Sequence, residues 1–424
     1  MIEKFTLENG LTVLTKEIHH APVVSHWIWY RVGSRNEVLG KTGVSHWVEH
    51  MQFKGTEKYP VNVLDAEISK VGGIWNAMTY LDWTTYYETL PADRLAIAID
   101  LEADRMTNSL FDPGETETER TVIISEREGN ENEPLFRLDE ALQRTAFSKH
   151  PYGGQVIGEM ADLRTMTRED LFAHYQNFYT PSNAVISVAG DFSTVELIDR
   201  IQNAYAAIPS RIPAQTEIVP EPCIEKSDNV LVEGPGDTLF IEIAYRSPAA
   251  EDEDFIPLMV LDSLLTGPSS LSMVGGGSIS NKTSRLYQQL VEKDLAMSIS
   301  GGLQTTIDPY LYSILMIASP NQSTEQIIAS VDHEIAAVSG KNLNDDEIER
   351  AKKQARALFA YGSESITNQA FWMGYSAMFS EHTWFDNYIE NISRVTAQQI
   401  HDAANKFLDP DRRVIGIYQP TGTD

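Results

Sequence analysis

In MIEKFTLENGLTVL, apolar side chains alternate with polar ones on either side of Asn9-Gly10. That pattern predicts a strand, a tight turn and a second strand. Residues 27–34, WIWYRVGS, form another alternating strand that ends in Tyr30-Arg31, and residues 240–248, FIEIAYRSP, form a similar one that ends in Tyr245-Arg246. A polar loop and then a helix follow each. Later, Thr167 opens a helix, Pro181 follows, and the strand AVISVAGD comes next. Thr396, Pro410 and RVIGIYQP repeat that order at the same spacing. The threonines suit N-caps and the prolines suit helix stops.

Two echoes in the same order imply a duplicated unit. The stretch SRIPAQTEIVPEPCIEKSD, residues 210–228, separates the copies; it is rich in Pro and charge and has no periodicity, as an exposed linker would be. The expectation is an α+β fold of two related domains, 1–209 and 229–424. Each should be a mainly antiparallel sheet backed by helices.

Composition narrows the partners. With 33 Lys and Arg against 61 Asp and Glu, the formal net charge is −28, and no basic stripe suits nucleic acid. No apolar run is long enough to span a membrane. The N-terminus lacks a basic region followed by an apolar one, so no signal peptide is expected. Cys223 is the single cysteine, which excludes an internal disulfide and suits a reducing, cytoplasmic setting. It has no neighbouring His or Lys and reads as inert.

The chemistry concentrates in KTGVSHWVEHMQFKGTEKYP, residues 41–60. A helix is predicted from about Thr42, closed by Gly55, with Val44, Trp47, Val48 and Met51 as its buried positions. His46 and His50 are one turn apart on one face and can share a tetrahedral zinc. Glu49, beside His50, can reach a water on the same metal without being a ligand. A catalytic site needs a third protein ligand from another element. Residues 111–134, FDPGETETERTVIISEREGNENEP, open with an Asp112-Pro113 cap and continue as a helix that carries Glu119 and Glu126 on one stripe. Spacing alone does not choose between these two carboxylates.

The sequence resembles the pitrilysin and mitochondrial processing peptidase family of inverted zincins, which carry H-x-x-E-H. The likeness includes Asn9-Gly10-Leu11-Thr12-Val13 and Gly33-Ser34-Arg35-Asn36-Glu37, taken as opening strands, and His50 through Thr56. It continues through Gly72-Gly73-Ile74-Trp75-Asn76-Ala77 with Thr79, Asp82, Thr84 and Tyr86, then His150-Pro151-Tyr152-Gly153, Gly158, Tyr179, Pro181 and Asn183. The resemblance implies a zinc endopeptidase in which two domains form half of a clam-like chamber. It makes Glu126 the third ligand beside His46 and His50, Glu49 the general base, and Glu119 a residue that orients a ligand. Asn76 and Ala77 would lie on an edge strand that receives an extended peptide. Manganese or cobalt in place of zinc is not excluded by ligand type.

One family feature is missing. Where the family often has an arginine and a tyrosine that grip the substrate main chain, this chain has Val291 and Met297. Neither can donate a comparable hydrogen bond. The resemblance therefore implies a heterodimer in which a homologous metal-free subunit supplies the Arg-Tyr pair, or otherwise a homodimer. Gly267 and the run Gly275-Gly276-Gly277 are similar to a glycine-rich loop of the non-catalytic processing-peptidase subunit. The alternatives are a presequence- or precursor-processing peptidase subunit, and a structural, non-catalytic subunit. His333, His382 and His401 are read as surface residues on helices, and His19, His20 and His26 receive no role.

Overall fold

The computed structural model describes residues 1–214, 216–268, 279–340 and 343–422; the glycine run at 275–277 lies outside them. The chain divides into two compact units. One comprises Met1–Gly129, Gly154–Val219 and Ser363–Phe385; the other comprises Asn130–Gly153, Pro220–Gly362 and Asp386–Asp424.

The first unit holds a six-stranded sheet built from β1 (Glu3–Thr6), β2 (Thr12–Glu17), β3 (Val23–Tyr30), β4 (Ile74–Thr79), β5 (Thr84–Pro91) and β6 (Ala184–Gly190). Its spatial order is β1-β2-β6-β3-β5-β4. Only β2 and β6 run parallel; every other neighbour is antiparallel. Every residue of β6 is buried, as expected of a strand covered on both faces. Among the described residues β4 has a single strand neighbour, β5, so it is the edge strand of the sheet.

Alternation along β3 sorts its side chains between two layers. Trp27 and Trp29 meet Phe371 of the helix Ile366–Phe379, with ring centroids 5.4 and 5.5 Å apart. This helix is apolar on nearly all sides and buried, and it approaches so closely that a Cβ on Gly374 would lie 1.9 Å from the Trp29 indole nitrogen. On the other face His26 meets Glu88 at 3.1 Å, beside Arg105 of the helix Leu95–Asn108.

The second unit holds β7 (Asp228–Gly234), β8 (Phe240–Arg246), β9 (Ala296–Leu303), β10 (Leu311–Ala318) and β11 (Arg413–Pro420), in the order β7-β11-β8-β10-β9. Again one pair, β7 and β11, is parallel and the rest are antiparallel. The sequence echoes occupy matching places: β3 beside β6 in one sheet, β8 beside β11 in the other. Thr167 and Thr396 both cap their helices in capping boxes. The helix Pro134–Ala146 covers β7 and β11, with Leu138 and Leu142 against Gly416.

The units are thus not continuous in sequence. Residues 130–153 belong with the second sheet and residues 363–385 with the first, so each sheet is covered by a helix from the other half of the chain. The segment 33–37, expected as strand, instead makes a 3-10 turn at Ser34–Asn36. Among the described residues no helix is long and apolar enough to cross a membrane.

Candidate metal centre

The H-x-x-E-H segment forms α1, Val44–Met51. It starts two residues later than periodicity suggests, because Gly43 at φ +84° cannot continue a right-handed helix. It also stops at Met51, and a turn carries the chain on to Gly55 at φ +86°. Gly43 has no side chain with which to cap α1. Glu37 does this work from outside, accepting from the Gly43 N–H at 2.7 Å and the Ser45 N–H at 2.8 Å. Burial pushes the Glu37 carboxyl up to about 8, against the two N–H bonds that favour its charge.

Val44, Trp47, Val48 and Met51 are buried as expected. That anchoring turns His46, Glu49 and His50 to one side. The imidazoles of His46 and His50 lie with ring centroids 4.5 Å apart.

The opposing carboxylates come from the helix Pro113–Asn130. Asp112 caps it, accepting from the Gly114 and Glu115 N–H groups at 2.8 and 3.1 Å. Arg120 fixes it against α1: its guanidinium lies 4.7 Å above the Trp47 ring and donates to the Leu163 and Met166 carbonyls. Glu119 and Glu126, on one stripe of this helix, then face α1.

One ligand atom each from His46, His50 and Glu126 lies within 4.8 Å of the others. His50 Nε2 is 3.8 Å from Glu126 Oε2. Two ligands on a tetrahedral zinc at ordinary bond lengths stand about 3.4 Å apart, so the His50–Glu126 pair is close to that spacing, and all three donors are near enough to converge on one ion. His46 Nδ1 is buried without a hydrogen-bond partner among the described residues. Such an atom is costly unless something else satisfies the ring.

Glu119 takes a different place: its Oε1 accepts from His50 Nδ1 at 2.8 Å, and its Oε2 lies 2.5 Å from Lys54 Nζ. Glu49 is buried, and its Oε2 accepts from the Thr79 hydroxyl at 2.5 Å. Asn76 and Ala77 lie on the edge strand β4, Asn76 exposed and Ala77 buried.

The electrostatics differ from residue to residue. Burial pushes the His46 imidazole down to about 3, so it is neutral. Burial acts against charge on His50 too, but the Glu119 hydrogen bond and the nearby Glu49 and Glu126 raise it. Glu49 is raised by burial, opposed by the Thr79 bond and His50. Burial would raise Glu119 as well, and the bonds from His50 and Lys54 bring it below the usual range.

Sequence reasoning missed Thr79 as a contact of Glu49, Lys54 as a partner of Glu119, Glu37 as the cap of α1, and His174, whose Nε2 lies 3.2 Å from the Ser45 hydroxyl. His26, given no role, is fully buried in an ionic cluster with Glu88, Glu102 and Arg105. His382 lies in a turn rather than on a helix, its side chain largely covered.

Two duplicated α+β units, one carrying a His-His-Glu cluster with a buried glutamate beside it, define the class of protein. The chain belongs to the peptidase M16 (insulinase) family: residues 12–159 match the insulinase (peptidase family M16) domain and residues 165–355 the peptidase M16 inactive domain. It is 28% identical over 416 residues to an uncharacterized zinc protease of Mycobacterium leprae, covering 95% of this chain and 88% of that one. It is 26% identical over 416 residues to a probable mitochondrial-processing peptidase subunit beta of Arabidopsis thaliana, covering 97% and 77%. Among solved structures, a protease from Helicobacter pylori superposes with a TM-score of 0.91 at 23% identity over 99% of both chains. A peptidase M16 inactive domain from Pseudomonas fluorescens gives 0.88 at 18%, covering 100% and 99%. At those identities the two structures bear on the fold alone.

Proposed function

We propose that this chain is a zinc-dependent endopeptidase that hydrolyses extended peptides or small unfolded polypeptides, as the catalytic subunit of a dimer. The observation that carries this reading is the convergence of His46, His50 and Glu126 beside the buried Glu49. His46, His50 and Glu126 hold the zinc, which when bound supplies an acidified water and a positive charge for the developing oxyanion. Glu49 takes the proton from the attacking water and delivers it to the leaving amine. Glu119 fixes the ring of His50 through Nδ1, leaving Nε2 for the metal. β4 offers its open edge to the substrate main chain, with Asn76 and Ala77 along it, so recognition is of extended backbone rather than of sequence.

Removal of presequences or of precursor segments is a narrower form of the same activity. The similarity to mitochondrial-processing peptidase beta subunits favours it as the second reading.

The test is hydrolysis of a mixed set of internally quenched peptides, with zinc, with a chelator, and with zinc restored. Cleavage that disappears with the chelator and returns with zinc is expected. Cleavage indifferent to the chelator would sink the metallopeptidase reading.

A further inference from the structure

Glu49 is held by a bond from β4. Its Oε2 accepts from the Thr79 hydroxyl at 2.5 Å, while Oε1 makes no hydrogen bond among the described residues. A charged carboxylate buried this deeply is costly unless it accepts hydrogen bonds, and here one hydroxyl supplies the whole of that.

The direction of the bond follows from the neighbours. Thr84, across from Thr79 in the β4–β5 register, donates its own hydroxyl proton to the Val32 carbonyl at 2.9 Å. Its oxygen is 3.4 Å from Thr79 and can only accept. Ionised Glu49 also can only accept. Thr79 has one proton to give, and the shorter contact is to Glu49.

We propose that Thr79 is a positioning residue for the general base: its hydroxyl pins Oε2 of Glu49 and leaves Oε1 as the oxygen that takes the proton from the attacking water. The inference rests on the peptidase reading above. Thr79 keeps its own proton throughout, and only Oε1 is protonated and deprotonated in the cycle. Because Thr79 is the last residue of β4, the same strand that presents its edge to the substrate main chain also sets the angle of the base. Substrate and base are thereby indexed to one element, with no loop between them whose motion could blur the distance. A methyl group in place of the hydroxyl keeps the shape and the β-branched strand residue but frees the carboxylate to rotate. Misplacement of a reacting group by about 1 Å costs about 100-fold in rate.

The test compares wild type, Thr79→Val and Thr79→Ser as full-length chains, in the assembly that gives wild-type turnover. Bound zinc, thermal midpoint, kcat and KM are measured for each. We expect Thr79→Val to retain one zinc and a midpoint near wild type, to lose about 10- to 100-fold in kcat, and to change KM by less than about twofold. Thr79→Ser, which restores the hydroxyl, should recover most of kcat. The proposal is overturned if Thr79→Val turns over like wild type, if its loss lies in KM, if it loses zinc or folds poorly while Thr79→Ser fails to rescue kcat, or if both variants are equally slow. Absence of chelator-sensitive turnover in the wild type would instead remove the peptidase reading, and this inference with it.

Discussion

Glu119 joins His50 to Lys54: one carboxylate oxygen accepts from His50 Nδ1 at 2.8 Å and the other lies 2.5 Å from Lys54 Nζ. A carboxylate held from both sides in this way has a fixed plane. It therefore fixes the ring plane and the tautomer of the histidine it touches. Glu119→Gln is expected to weaken zinc binding by about 10- to 100-fold without unfolding the chain. Competition with a fluorescent zinc chelator, alongside circular dichroism, measures both. An unchanged zinc affinity would remove Glu119 from the support of the site.

Glu49 and the three candidate ligands should separate cleanly. Glu49→Gln is expected to keep one zinc per chain and lose at least about 100-fold in kcat, since general-base catalysis contributes about that much or more. His46→Ala, His50→Ala and Glu126→Ala should each lose the metal, with activity lost as a consequence. Elemental analysis after dialysis, paired with peptide turnover, distinguishes the two outcomes. Zinc lost from Glu49→Gln would mean that Glu49 is a ligand and the assignment of roles is wrong.

Much of this was legible in the sequence because it is local. The helix spacing that pairs His46 with His50, the Asp112 cap, the alternating strands β3 and β8, and the strands β6 and β11 that follow a capped helix and a proline are all written in runs of a few residues. Spacing alone did not choose between Glu126 and Glu119, since both sit on one stripe; the family resemblance chose Glu126, and in the structure Glu119 meets His50 Nδ1 while Glu126 lies 3.8 Å from His50 Nε2. The roles of Thr79 and Glu37 were hidden as well: Thr79 acts on α1 from a strand 30 residues beyond Glu49 and Glu37 from a loop six residues before Gly43, and a threonine in a strand or a glutamate in a loop carries no local mark. The exchange of covering helices was equally invisible. The helices Pro134–Ala146 and Ile366–Phe379 show what each buries but not which sheet receives it.

Gly43 faces Gly158 across a backbone contact beside α1. A Cβ on Gly43 would lie 2.4 Å from the Ile157 carbonyl oxygen, and one on Gly158 would lie 2.4 Å from that of Thr42. Gly40 has nearly the same φ, +88°, with nothing near its Cβ position. Gly40→Ala should therefore cost only the left-handed penalty of about 1–2 kcal/mol. Gly43→Ala adds a clash between main chains and should cost about 2–4 kcal/mol in all, with weaker zinc binding because α1 shifts. Urea unfolding of the two variants checks the ordering; equal costs would mean that the contact relaxes freely.

His174 sets a pH dependence. Burial holds its imidazole down to about 3, whereas in the unfolded chain it titrates near 6.5. The unfolded state then binds more protons between those values, so stability rises with pH there. The contribution is complete above about pH 6.5 and is lost as pH falls towards 3. At pH 5 the loss from His174 is about 2 kcal/mol. His26, held down to about 4 by burial, adds to it. His174→Gln should lower stability at neutral pH by the weakened contact to Ser45, yet lose about 2 kcal/mol less than wild type between pH 7.5 and pH 5. Unfolding midpoints at the two pH values decide this, and parallel losses in both proteins would refute it.

Val291 and Met297 bear on the assembly. Val291 closes the turn Tyr287–Val291, and Met297 stands on β9 with about half of its surface exposed, 53%. Neither side chain can donate a hydrogen bond to a substrate carbonyl, so a chain working alone would lack any side-chain grip from those two positions. A homologous metal-free subunit that carries an arginine and a tyrosine there would supply it. Mixing the two is expected to give a heterodimer by light scattering and to raise kcat/KM at least about 10-fold, the loss expected when charge-assisted bonds to substrate are missing. The double substitution Val291→Arg with Met297→Tyr should recover part of that gain in this chain alone. If the unaltered chain by itself already cleaves extended peptides at ordinary enzyme rates, about 1–1000 per second, it needs no such partner and the homodimer takes the place of the heterodimer.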